Sequence, residues 1–224
     1  MQLNQSISFF GIFWPAFSSF VAALILFGIG LWINRWRQKR KQEELYVSIL
    51  RSIHYDYRKN LDLLCQLHAY LFVRILPSFK LELSRKDELL KTLIPICLNF
   101  NLLDRISEGY FELVHIQRRL DQVIQSYGSS EFESLLRGTH TLMNIRIQFI
   151  FEILSEIIDE IREKGGNGIV QLPEDYLEKK FEEFQKDPEI LSAAKAQGID
   201  LSRRNRFYLN FPMLKTQASG SANP

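Results

Sequence analysis

Phe9–Ile33 reads FFGIFWPAFSSFVAALILFGIGLWI, 25 residues without an Asp, Glu, Lys or Arg, and Asn34–Lys41 then reads NRWRQKRK, with five cations. At ~1.5 Å of rise per residue, an uninterrupted helix of that length spans about 37 Å, enough to cross a hydrocarbon core of roughly 30 Å with some tilt. A cleaved signal peptide calls for a positive n-region and small residues at its exit. Met1–Ser8 carries no positive side chain, and Trp32, Ile33 and Trp36 crowd the exit, so the sequence predicts a retained anchor over 9–34. Trp14 at one end and Trp32 and Trp36 at the other match the aromatic belt of a membrane interface.

The nearby cations, Arg35, Arg37, Lys39, Arg40 and Lys41, all lie on the C-terminal side of the apolar run. The positive-inside rule then expects residues 1–8 outside the cell membrane and everything after this single span in the cytoplasm. Against an anionic leaflet each such cation contributes about 1 kcal/mol, so acidic lipids are an expected partner of this flank. Ala16, Ala23 and Gly30 recur at seven-residue intervals, a small-residue stripe along which a second helix can approach.

The net charge of +2 hides a basic membrane flank and a basic tail around a mildly acidic middle. Past the anchor the chain is long enough to bury one core. Cys65 and Cys97 have no paired spacing and sit among Leu or Ile, which reads as two reduced, buried thiols rather than a disulfide.

Three long segments carry apolar residues at alternating spacings of three and four, the helical signature. The first runs through Tyr46, Leu50, Ile53, Tyr57, Asn60, Leu64, Leu67 and Leu71. Without a Gly or Pro between Leu31 and Leu76, it continues the anchor directly and is expected to end at Pro77. Ser84 with Asp87 resembles a capping box that opens a helix from Arg85 to about Ile94, broken by Pro95. The second stripe is Leu103, Ile106, Tyr110, Leu113, Gln117, Leu120 and Ile124, closed by Gly128. Ser130 with Glu133 is a second candidate box, opening a helix over about 131–164. Its stripe of Leu136, Met143, Ile147, Ile150, Leu154, Ile157 and Ile161 is widened by Leu135, Leu142, Phe149, Ile153 and Ile158, which implies burial against at least two neighbours.

Gly165-Gly166-Asn167-Gly168 stops that helix and reads as a hinge or loop. Pro173-Glu174-Asp175 opens a charged helix to about Lys186, with Tyr176, Leu177, Phe181 and Phe184 on its apolar side. Asp187-Pro188-Glu189 has the form of an N-cap, an N1 proline and an acidic first turn, for a helix ending at Gly198. The expected organisation is all-α: residues 1–8 outside, an anchor over 9–34, an antiparallel cytoplasmic helical bundle over 35–164, the hinge and two short helices over 165–198, and a basic-aromatic segment over 199–224 whose last residues are disordered.

Polar residues on the apolar stripes are the best candidates for specificity. Asn60, Gln117 and Arg146 each interrupt one stripe, and together they would make a buried polar layer that fixes register or pairing. Glu112 and His115 have the i, i+3 spacing that supplies two ligands of a di-iron carboxylate site. Such a site needs a second Glu-x-x-His, and none of His54, His68 and His140 has a Glu three residues before it. Cys65, His68 and His54 share one helix face, but a zinc site needs further ligands from elsewhere. Arg203, Arg204, Arg206, Phe207 and Tyr208 form a basic-aromatic cluster suited to lipid headgroups or to packing back on the bundle. The small net charge argues against a nucleic-acid partner.

Phosphate-cradling, zincin, nucleophile-elbow and kinase motifs are absent from the sequence. The expected activity is therefore non-enzymatic: a single-pass membrane protein whose helical bundle binds a protein partner or itself, with no cofactor. The alternatives are a bundle metal protein or enzyme using Glu112 and His115, and a membrane-permeabilising effector that oligomerises through the anchor.

Overall fold

One helix, α1, covers Phe9–Phe72, and the chain divides into two packing units between Leu45 and Tyr46, within that helix. The computed structural model describes residues 9–199 and 201, with side-chain surroundings from Phe17 onward. Regular structure among the described residues is helical throughout. After α1 come α2 (Lys86–Leu93), a 3-10 turn (Ile94–Ile96), α3 (Phe100–Gln125), α4 (Phe132–Glu163), α5 (Tyr176–Phe184) and α6 (Pro188–Ala196).

In the first unit the apolar residues occur all round the helix, and from Phe17 to Leu45 every residue is exposed except the half-buried Glu43. In the second unit burial begins at Tyr46 and follows a stripe. Tyr46, Leu50, Ile53, Tyr57, Leu64, Leu67 and Leu71 all enter the core. Asn60 enters it with them. On α4 the whole stripe from Leu136 to Ile161 is buried, with Ile153 and Ile158 beside it. On α3 the buried face drifts: Ile116 and Val123 are inside, and Ile124 is exposed. A 3.6-residue turn rotates a strict 3-4 stripe away from its partner over several turns.

Helices α3 and α4 are tied by ion pairs whose numbering runs in opposite directions. Arg105 meets Glu156 at 3.0 Å and Glu152 at 3.7 Å, and Glu112 meets Arg146 at 2.9 Å. Gly109 is the point of closest approach, because a Cβ there would lie 2.5 Å from Tyr57 Oη and 2.7 Å from Ile153 Cδ1. A side chain at that position would push α1 and α4 away from α3.

Helix ends depart from the expected ones where tertiary partners intervene. Helix α1 stops at Phe72, five residues before Pro77. Arg74 N–H donates to Leu71 O at 3.1 Å and Ile75 N–H to Tyr70 O at 2.9 Å, a Schellman pair with Arg74 in the left-handed region at φ 58°. Neither candidate capping box forms. At α2 the cap position is Arg85, and Lys86 N–H donates to Leu83 O instead of to Ser84. At α4 the cap position is Glu131, Phe132 N–H donates to Ser129 O, and Glu133 reaches out to Arg74 Nη1 at 3.4 Å. Turn carbonyls supply acceptors that the serines were expected to supply. By contrast, α6 is capped as its sequence predicts, with Asp187 Oδ1 accepting from Glu189 and Ile190 N–H and Pro188 in the first turn. Asn99 caps α3 by accepting from Leu102 N–H at 3.1 Å, a cap the spacing did not announce.

The expected hinge is a docked turn. Gly165 N–H donates to Arg162 O and Gly166 N–H to Ile161 O, with Gly165 at φ 76°, so the end of α4 closes in the conformation glycine adopts without steric cost. Beyond it Arg51 donates to Asn167 O at 2.8 Å, Tyr176 Oη to Asp62, Tyr70 Oη to Glu189 at 2.9 Å, and Gln197 to Val73 O at 2.7 Å. Residues after Gly165 therefore pack on the 46–72 part of α1 and on Val73 just beyond it.

Candidate functional site

The residues expected to flank a membrane sit on an open helix surface. Trp32 is 68% exposed and Trp36 47%, and the Arg40 guanidinium lies 4.3 Å from the Trp36 ring centroid. Arg35, Arg37, Lys39 and Lys41 are exposed, with Lys39 3.9 Å from Glu43. Ala23 and Gly30 are exposed as well, and nothing lies within 4 Å of a Cβ added at Gly30. Ala16 is inside α1, but its side-chain surroundings lie outside the described residues, as do Arg203, Arg204, Arg206, Phe207 and Tyr208 altogether.

Asn60, Gln117 and Arg146 do not share a polar layer. Asn60 is fully buried and satisfied within its own chain. Its Nδ2 donates to Asp56 O at 3.0 Å and Glu82 O at 2.9 Å, and its Oδ1 accepts from Glu82 N–H at 2.9 Å. Gln117 Oε1 accepts from the next backbone amide, Leu81 N–H, at 2.9 Å, while its Nε2 donates to Asp121 at 3.1 Å. The two amides thus hold the non-helical strap between α1 and α2, whose backbone groups have no ladder of their own and must find other partners. Arg146 belongs elsewhere, on Glu112. That pair also occupies the carboxylate on which a metal reading of Glu112 and His115 depends. His115 is half-buried and lines a cleft of about 420 Å³ with Leu135, Gly138, Leu142 and Ile145.

Cys65 and His68 are both buried, and their surroundings are aromatic rather than those of a metal centre. His68 stacks on His140 with centroids 4.1 Å apart and interplanar angle 25°, Phe181 meets His68 edge-on at 5.5 Å, and Phe72 lies 5.8 Å from His140. Burial lowers the pKa of both imidazoles, and for His68 the neighbouring His140 adds to the effect. Burial likewise holds the Cys65 thiol far above its usual range, leaving it unreactive. Among the described residues no three His, Cys, Asp or Glu side chains converge as a metal site would require.

Two buried carboxylates carry more of the architecture than their sequence context suggests. Asp56 accepts from Tyr110 Oη at 2.8 Å, and Tyr57, edge-on to Tyr110 at 4.7 Å, donates to Ile106 O. Burial raises the Asp56 pKa, opposed by the Tyr110 hydrogen bond. Glu160 accepts from Asn99 at 2.8 Å and Tyr46 Oη at 3.4 Å, joining α4 to the cap of α3 and to α1. Read along the sequence, Glu160 looks like one more surface charge near a helix end. Only the Tyr and Asn residues facing it reveal the buried node.

Compared with known families, curated proteins and solved structures, the chain matches no family model, no curated protein and no solved structure.

Proposed function

We propose that this is a non-enzymatic, single-pass membrane protein, with an antiparallel helical bundle on the cytoplasmic side that binds a protein partner or a second copy of itself. One observation carries the reading: α1 is long and apolar enough near its N-terminus to cross a membrane, and its apolar window is entirely unburied. Phe20, Phe27 and Trp32 are all more than 60% exposed, so the segment is not the core helix of this fold. A contiguous surface of this kind is costly in water at roughly 25 cal/mol per Å², and lipid offsets that cost without any specific partner residue. The aromatic residues and cations that follow support the orientation.

The interaction half of the proposal rests on the second unit. Phe111, Tyr127 and Ile145 are exposed on or beside α3 and α4, while the polar interruptions of the stripes are consumed inside the chain. Partner contacts are therefore expected on these outer faces and along the Ala23–Gly30 side of the anchor. Alkaline carbonate washing of membranes carrying the full chain should leave the protein in the pellet, and a reporter fused after Pro224 should be active only inside the cell. Release into the wash, or an external reporter, overturns the membrane reading. Crosslinking in intact membranes that captures neither a partner nor a second copy overturns the interaction reading.

A further inference from the structure

We infer that the loop entering α3, with Ile94, Leu98 and Phe100 at its surface, is a second membrane contact, which dips into the interfacial layer of the leaflet beside the basic flank. The inference deepens the membrane reading of α1 and rests on it.

Composition is the first argument. Thr92–Leu103 reads TLIPICLNFNLL, the longest run without Asp, Glu, Lys or Arg after the anchor. The next longest, Leu63–Val73, is explained by the core, since every residue in it is buried or half-buried. Burial does not explain Thr92–Leu103. Ile94 is 56% exposed, Leu98 40% and Phe100 68%, and Thr92, Pro95 and Asn101 are exposed with them. The 3-10 turn at Ile94–Ile96 buries none of its residues, so it presents side chains instead of packing them. Single exposed apolar residues are ordinary on a surface, whereas three large ones within one short uncharged loop mark a contact.

Position is the second argument. The chain enters this unit at Tyr46. Glu160 accepts from Tyr46 Oη at 3.4 Å and from Asn99 Nδ2 at 2.8 Å, and a Cβ on Gly166 would lie 3.1 Å from Val47. The loop therefore shares the entry end of the unit with the start of α3 and the end of α4. Lys41, the last cation of the flank, precedes Tyr46 by five residues, which reach at most about 18 Å in any conformation. Connectivity alone thus tethers this end near the headgroups that the cations engage. Tyr127, 70% exposed, lies past the far end of α3, about 39 Å further along that helix, and has no such tether.

The third argument is what the loop asks of its partner. The charged residues lining the depression beside Leu98 and Phe100 answer one another, with Lys164 3.8 Å from Glu160 and 3.3 Å from Glu163. Asn99 is already engaged by Glu160. What remains is apolar and uncharged, and the boundary between headgroups and acyl chains accepts Phe, Leu and Ile without a matching surface opposite them.

Nitroxide labels on the full chain in phosphatidylcholine vesicles test this. Cys97→Ser supplies the background, because serine can keep the hydrogen bond to Asn99 O, and fully buried Cys65 escapes the reagent. Collision rates with oxygen, which concentrates in lipid, and with a nickel chelate, which stays in water, are compared for labels at Leu24→Cys, Phe100→Cys and Tyr127→Cys. The oxygen-to-nickel ratio should be highest at position 24 and at least threefold higher at 100 than at 127. Replacing exposed Ile94 and Leu98 together by Asp should bring the ratio at 100 down to that at 127. A ratio at 100 within threefold of that at 127, with a high ratio at 24, overturns the inference and leaves the anchor standing. Low ratios at all three positions overturn both. Shielding of position 100 from both reagents assigns the loop to a protein contact and overturns the inference, as does a ratio there that the paired Asp substitutions leave unmoved.

Discussion

Residues 17–45 and 46–72 belong to one helix and follow opposite rules. In the first stretch Phe20, Leu24, Leu26, Phe27 and Trp32 occur all round the helix and every one is exposed. In the second, large apolar residues other than Tyr55 are buried or half-buried in the core, and polar residues near them have specific partners: Asp56 has Tyr110, Asn60 has Glu82, and Asp62 has Tyr176. A helix that is apolar all round is satisfied by a uniform apolar medium and needs no particular residue opposite it. A striped helix needs matching surfaces, and each polar atom it buries needs an acceptor or donor in a defined place.

Replacing Leu24 and Phe27 together by Arg attacks the first stretch where it should be most sensitive. Each Arg at the centre of a span costs about 2.5–3.5 kcal/mol on insertion, so most of the protein should leave the carbonate-resistant fraction. Retention in the pellet would mean that the contrast between the two stretches is not one of solvent. Next in size, Ile53→Ala should lower unfolding free energy by about 2–5 kcal/mol, because Ile53 is fully buried. Leu26→Ala, at an exposed position, should leave the urea midpoint of the second unit unchanged. Comparable losses for the two variants would erase the distinction.

Asn60→Leu keeps the branched shape of the side chain but removes the acceptor of Glu82 N–H and two donated bonds. A cost of about 2–3 kcal/mol is expected in urea unfolding, since the strap's buried backbone groups lose their partners. A neutral or stabilising result would show that Asn60 serves assembly rather than the strap.

A smaller effect concerns pH. His68 and His140 have lowered pKa values in the folded state, so the unfolded chain binds more protons as pH falls below about 6.5. Their contribution is complete above that value and declines as acidity increases. Asp56, raised by burial, shifts stability in the opposite sense, so the wild type alone is not diagnostic. His140→Phe keeps the ring stack, and the drop in Tm from about pH 7.5 to about pH 5.5 should be smaller in this variant than in the parent. The smallest change is Arg74→Gly, expected to gain about 0.5 kcal/mol in thermal unfolding once relief of the left-handed arginine is set against the entropy of glycine.

Much of the helical plan was legible because its signals are local. The spacing of Leu136 to Ile161, the missing Gly and Pro between Leu31 and Leu76, and the Asp187-Pro188 cap each act within a few residues. The capping boxes at Ser84 and Ser130 failed because acceptors outside the pattern competed, and Glu133 was drawn to Arg74, 59 positions earlier in the chain. Asn60 and Gln117 were recognisable as unusual, but their purpose was not, since Leu81 and Glu82 come beside them only through the turn after α1. Nothing along the chain links His68 to His140, or Asn99 and Tyr46 to Glu160.

By itself the sequence determined where helices form and where an apolar surface too long for a water-soluble face begins and ends, because hydrophobic periodicity and proline or glycine chemistry are short-range properties. Only the tertiary structure decided which buried polar atoms meet, that the residues after Gly165 dock on α1, and that two histidines share one stack. Those outcomes depend on distances between residues far apart in the chain, and no local preference encodes them.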